Sequence, residues 1–98
     1  MKNIGQTIKD LRKKKQIKQK DLACKSGITP TYLSQIEKAL KTPTFDVLEK
    51  ICKALEIPLP ILTFLSLNED AISEDKRDAY KRIEPAIKAM VTEFFLQP

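Results

Sequence analysis

The twenty residues from Gln19 to Lys38, QKDLACKSGITPTYLSQIEK, constrain the fold of this chain more than any other stretch. They combine a small residue (Ala23), a glycine (Gly27) and apolar anchors at Leu22, Ile28, Leu33 and Ile36. Two short helices cross at close range only if the contact residue is small and the turn between them accepts an unusual backbone conformation. Ala23 meets the first condition and Gly27 the second. Thr29 is placed to cap the second of these helices, and Pro30 occupies its first position, where a missing N–H costs nothing. With Leu33 and Ile36 turned inward, Thr31, Ser34, Gln35 and Lys38 fall on the outer side and Tyr32 at its edge.

The flanking segments continue the helical pattern. Ile4, Ile8 and Leu11 predict a first helix ending near residue 14 or 15, with the basic run Lys13 to Lys15 on its solvent side. The second helix begins near Gln19 and buries Leu22 and Ala23; the third extends to about Lys38. Residues 39–43 read as a loop. Thr44 then caps a fourth helix with a buried stripe of Phe45, Val47, Leu48, Ile51, Cys52 and Leu55, stopping near Ile57. Pro60 suits the first turn of a fifth helix carrying Ile61, Leu62, Phe64 and Leu65.

Beyond a linker at residues 67–72, Ser73 reads as an N-cap, with Glu74 and Asp75 complementing a helix dipole. Tyr80, Ile83, Ile87, Met90 and Phe94 recur three and four apart, a coiled-coil-like seam suited to pairing subunits. Folding of this stripe back onto its own domain is the competing arrangement. Pro85 interrupts the segment and would cost about 3 kcal/mol inside a straight helix, which predicts a kink or a break. The expected organisation is a domain over residues 1–66, the linker, and a helical extension over residues 73–98.

Composition removes other classes. Among 98 residues there are two Gly and no run of alternating β-formers, so the chain reads as all-α. With no His, the commonest general acid–base group and the commonest zinc ligand are absent. Neither a catalytic constellation nor a cofactor or metal site is indicated. The longest apolar stretch, around Leu59 to Leu67, is far below the roughly 20 residues that span a bilayer. Cys24 and Cys52 have no metal or redox spacing and read as packing residues in a reducing, cytoplasmic setting, Cys24 the more exposed. Charge is uneven: residues 1–57 carry 13 Lys and Arg against 6 Asp and Glu, while residues 58–98 carry 5 against 7. A basic first half suits a polyanion, because neutralising phosphates releases condensed counterions.

The outer side of the third helix is therefore free to enter a DNA major groove, whose base edges present distinguishable donors, acceptors and methyl groups. Here the sequence resembles the Cro/C1-type helix-turn-helix family, also called the xenobiotic-response-element family. The stretches IGQTIKDLRKKKQIKQKDLA, GITPTYLSQIEK and KTPTFDVLEKICKALEIPL carry the likeness over roughly Ile4 to Leu65. The resemblance implies a five-helix, lambda-repressor-like DNA-binding domain that works as a dimer on an inverted repeat. It implies a partly buried ion pair between Arg12 and Glu37. It also implies that Gln19 touches a phosphate or braces a base-reading side chain, that Thr31 and Gln35 read bases, and that Thr29, Tyr32, Ser34, Lys38 and Lys41 contact backbone or flank the reading surface. Phosphate contacts of that kind fix register without carrying sequence information.

Two positions depart from the family pattern. Pro30 stands where many relatives carry a long polar reader, which shifts readout toward DNA shape; Ala39 stands where they usually have Gly. The expected function is a homodimeric transcriptional repressor. Phage-type repressor, restriction-modification controller and antitoxin remain open within that class. The alternative from another class is an interaction module that keeps the fold and docks a protein partner through its C-terminal segment.

Overall fold

In the computed structural model, the described residues, 3–96 with the backbone alone at Glu69, form six α-helices and no strand. They are α1 (Ile4–Lys14), α2 (Gln19–Lys25), α3 (Pro30–Glu37), α4 (Phe45–Leu55), α5 (Leu59–Leu65) and α6 (Arg77–Val91). Single 3-10 turns occupy Glu69–Ala71 and Glu74–Lys76, and a π-helical turn, Thr92–Leu96, follows α6. The outermost positions of the expected domains, 1–2 and 97–98, lie outside the described residues.

Helix starts follow side-chain chemistry. Asn3 accepts from the Gln6 N–H at 2.9 Å, Thr29 from Tyr32 at 3.0 Å and Thr44 from Val47 at 3.2 Å. Each cap satisfies a backbone donor that has no partner within the helix and is worth about 1 kcal/mol.

Helix ends share a backbone device that only one of the four sequences advertises. After α1, α2, α3 and α4 the chain takes a left-handed residue: Gln16 (φ 58°), Gly27 (φ 68°), Ala39 (φ 62°) and Glu56 (φ 58°). The N–H of the following residue then reaches back five positions. Ile17 bonds Arg12 O at 3.0 Å, Ile28 bonds Ala23 O at 3.0 Å, Leu40 bonds Gln35 O at 2.8 Å and Ile57 bonds Cys52 O at 3.0 Å. This arrangement satisfies the terminal carbonyls and normally brings an apolar residue back against the helix. Gly27 adopts it freely, whereas the three residues with a Cβ bear roughly 1 kcal/mol of strain each.

The core gathers Ile8 and Leu11 of α1, Leu22 and Ala23 of α2, Leu33 and Ile36 of α3, Ile51, Cys52 and Leu55 of α4, then Ile57 and Leu62. Burial is graded along α4: Ile51, Cys52 and Leu55 are enclosed, Val47 and Leu48 are half-buried, and Phe45 is 64% exposed. The stripe expected to include Phe45 is thus shorter, because the first turn of α4 projects beyond the helices that cover its C-terminal half. Gly5 lies so close to α3 that a Cβ there would overlap the Ile36 carbonyl oxygen.

The C-terminal segment differs from expectation at its N-cap, and of the kink or break expected at Pro85 it shows no break. Ser73 makes no side-chain cap; its carbonyl accepts from the Lys76 N–H at 2.9 Å, opening a 3-10 turn ahead of α6. Pro85 lies inside α6, which continues through it unbroken. Glu84 pairs with Lys88 at 2.8 Å across the proline. That bond, with help from Tyr80, keeps the Glu84 carboxyl below its ordinary range. Tyr80 stacks at a tilt on Phe64 of α5, ring centres 6.1 Å apart. Val91 is buried, and Phe95 and Leu96 pack on the core. No helix among the described residues is long and apolar enough to cross a membrane.

Two substitutions should move stability in opposite directions. Ala39→Gly relieves left-handed strain and should raise unfolding free energy by about 0.5–1 kcal/mol, the relief exceeding the added backbone freedom of the unfolded chain. Gly5→Ala forces α1 off Ile36 and should lower it by about 2 kcal/mol or more. Urea midpoints at constant slope measure both.

Candidate nucleic-acid interface

The outer side of α3 is positioned by what its inner side is doing. Leu33 and Ile36 are fully enclosed, and Glu37 is buried at the helix end. There the Arg12 guanidinium donates from Nε to Glu37 Oε2 at 2.8 Å and from Nη2 to Oε1 at 3.1 Å. Its Nη1 donates to the Ile17 carbonyl at 2.9 Å, and the Gln19 amide donates to Glu37 Oε1 at 3.0 Å. The two charged side chains are only 11% and 2% exposed. Burial of two charges is tolerable when a bidentate geometry and extra hydrogen bonds satisfy both ions. Four chain segments (α1, the following turn, the start of α2 and the end of α3) are tied at one point.

The opposite side of α3 is open. A groove of about 360 Å³ is lined by Gln19, Pro30, Thr31, Ser34, Gln35, Lys38 and Leu40. Five of the residues expected at a DNA surface, Gln19, Thr31, Ser34, Gln35 and Lys38, thus share one wall. Thr31 and Lys38 are exposed; Gln19, Ser34 and Gln35 are half-buried. Thr29, Tyr32 and Lys41 stand outside the groove lining. The Thr29 hydroxyl oxygen serves the α3 cap, Tyr32 packs partly against the core, and Lys41 is exposed on the loop with its N–H 3.3 Å from Gln35 O.

The basic run divides between faces. Lys14 and Lys15 line a second hollow, of about 580 Å³, that shares no residue with the α3 groove and is walled by Phe94, Phe95 and Leu96. Lys15 donates to the Leu55 carbonyl at the end of α4. A cation there complements the negative end of that helix dipole. Cys24 is exposed and Cys52 buried, and burial, with Glu49 nearby, pushes the Cys52 thiol up to about 11. That thiol stays protonated and inert at neutral pH. Among the described residues, no group of three or more His, Cys, Asp or Glu is placed to hold a metal ion.

The family model for helix-turn-helix proteins matches residues 8–62, from the core residue Ile8 of α1 to Leu62 of α5. The chain belongs to the Cro/C1-type helix-turn-helix family. Among curated relatives, the HTH-type transcriptional regulator SinR of Bacillus subtilis is 42% identical over 60 residues, covering 60% of this chain and 54% of that protein. The immunity repressor protein of Bacillus phage phi105 is 33% identical over 86 residues, 83% of this chain and 60% of that protein. An uncharacterized HTH-type transcriptional regulator of Mycobacterium tuberculosis is 38% identical over 58 residues, 59% of this chain and 41% of that protein. The chain therefore spans between two fifths and three fifths of the length of these relatives. No solved structure matches it.

Within this helix-turn-helix unit, sequence reasoning missed Leu40. It is 72% exposed and lines the groove beside Gln35. A loop leucine carries no periodic signal; only the capping geometry after Ala39 places it there. Pro30, noted for what it replaces, proves to be part of the same wall.

The ion pair yields a test of the scaffold. Glu37→Ala leaves Arg12 buried with one carbonyl partner and should reduce unfolding free energy by about 3–5 kcal/mol. That is a large share of the roughly 5–15 kcal/mol such domains possess. Thermal denaturation followed by circular dichroism reads the loss.

Proposed function

We propose that this chain is a sequence-specific DNA-binding transcriptional regulator, a homodimeric repressor that sets α3 in the major groove of each half of an inverted repeat. One observation carries the reading: the polar outer side of α3, with Thr31, Ser34, Gln35 and Lys38, forms an open groove wall while its inner side is locked to α1. Gln35 pairs bidentately with adenine, Thr31 meets a thymine methyl or a base acceptor, and each good pair contributes roughly 1–3 kcal/mol of discrimination. Gln19, anchored on Glu37, braces the end of α3 and keeps its amide oxygen for a further contact. Thr29, Tyr32, Lys38 and Lys41 set the register on phosphates. The net charge of +7 over residues 1–57, from 13 cations and 6 anions, supplies the sequence-independent attraction. Relatives named as a transcriptional regulator and an immunity repressor support the same assignment.

The subunit contact in this proposal is the outer side of the C-terminal segment. Ile83, Met90 and Phe94 are 54%, 54% and 65% exposed, and Ile87 is half-buried between them. The steps of four and three residues from Ile83 through Ile87 to Met90 keep one side of α6 and suit the same face of a second copy about a two-fold axis, while Phe94, in the π-helical turn, lies where that face meets the hollow beside Lys14 and Lys15. Tyr80 belongs to the edge of that contact, since it also stacks on Phe64.

Selection from random duplexes should enrich a palindromic motif, bound with an affinity that falls steeply with salt. Gln35→Ala should flatten preference at one position per half-site, by roughly five-fold or more. Lys41→Ala should weaken all sequences alike. Enrichment of no motif would transfer the assignment to a protein-docking module. For assembly, Ile83→Glu with Met90→Glu should convert a dimer to a monomer by analytical ultracentrifugation at unchanged helicity; a wild-type monomer would remove the homodimer from the proposal.

A further inference from the structure

Four helices end with a left-handed residue followed by an apolar one, and the fate of that apolar side chain separates one end from the rest. Ile17 and Ile28 are half-buried against the core, and Ile57 is part of it. Leu40, in the equivalent position after α3, is 72% exposed. A lone exposed leucine is ordinary. This one is different because of where its backbone is held. Its N–H bonds the Gln35 carbonyl at 2.8 Å, so Leu40 is fixed to the residue that stands in the middle of the polar wall. The strained φ of 62° at Ala39 turns the chain so that Leu40 lines the groove with Thr31, Gln35 and Lys38.

The partner such a side chain fits is defined by the groove it faces. Among base edges in the major groove the one apolar feature is the thymine C5-methyl; every other recognisable group is a hydrogen-bond donor or acceptor. We propose that Leu40 is a specificity-determining residue that packs on a thymine methyl next to the base pair read by Gln35. The inference rests on α3 being the DNA-reading helix. It adds to that reading an apolar contact from the loop at a neighbouring position, on a wall where Pro30 already replaces a polar side chain at the start of α3.

The test couples the side chain to the methyl group. Random-duplex selection with the wild type defines the half-site, and thymines in it are then replaced one at a time by deoxyuridine, which removes only the methyl. Wild type should lose about three- to five-fold in affinity at one thymine adjacent to the Gln35 position, the scale of one buried methyl. Leu40→Ala should bind that site more weakly, show no further loss with deoxyuridine there, and tolerate other bases at that position in its own selection. Because Leu40 is largely exposed, its melting temperature should match the wild type, which separates lost contact from lost fold. If Leu40→Ala enriches the wild-type motif and keeps the same deoxyuridine sensitivity, the inference is overturned while DNA reading by α3 stands. If the wild type enriches no motif, the reading beneath it fails instead, and the two failures are distinct.

Discussion

Four polar groups meet where α1, α2 and α3 come together, and the orientation of the third helix depends on them. Arg12 reaches across from α1 with each of its three guanidinium nitrogens engaged: two toward Glu37 and one toward the Ile17 carbonyl. Gln19 closes the remaining side of the Glu37 carboxylate. Such a buried pair is a weak source of stability, since desolvating two ions offsets most of their attraction. Its effect is directional. A guanidinium and a carboxylate joined by two bonds permit one relative rotation, so the end of α3 is set with respect to both preceding helices. Gly5 adds the second constraint, letting α1 rest on the carbonyl of Ile36, the residue just before Glu37.

Fixing the inner side of α3 decides what is left outside. With Leu33, Ile36 and Glu37 buried, helical geometry forces Thr31, Ser34, Gln35 and Lys38 outward, and the chain places little over them. The result is a rigid helix with a polar, hydrogen-bonding wall, which is the arrangement that avoids losing side-chain freedom during recognition. Charge follows the same division. Part of the lysine run is turned to the α4 end and the C-terminal hollow, away from the α3 groove.

Much of this was legible in the residues, and the exceptions have physical causes. Caps at Thr29 and Thr44 are local chemistry, and apolar spacing located Leu22, Leu33, Ile51 and Leu62 because burial on a helix repeats with its turn. The outward set on α3 followed from the same geometry. Gly5 was not legible: a close backbone approach depends on how two helices cross, and its neighbours in sequence say nothing of that. Gln16, Ala39 and Glu56 hide left-handed helix ends because none is a glycine; after Gln16 and Glu56 the apolar residue that follows packs on the core, while Leu40 after Ala39 is held by its backbone bond alone. Phe45 has the right periodicity but lies beyond its covering helices. Periodicity states which face an apolar residue is on, and only tertiary packing states whether anything faces it.

The C-terminal helix is fastened to the domain at two places and exposed between them. Tyr80 on Phe64 ties its first half to α5, and Val91, Phe95 and Leu96 close against the rest of the molecule. Between those attachments the helix continues through Pro85, spanned by the Glu84–Lys88 pair, so Ile83 and Met90 are held on one continuous outer face. The inward residues do not have to be released for that face to be covered. An apolar strip kept rigid and separate from the core is cheap to bury, because ordering costs have already been met in the free chain. In the proposed dimer that strip is the contact between subunits, and the residues that fasten the helix to its own domain stay where they are.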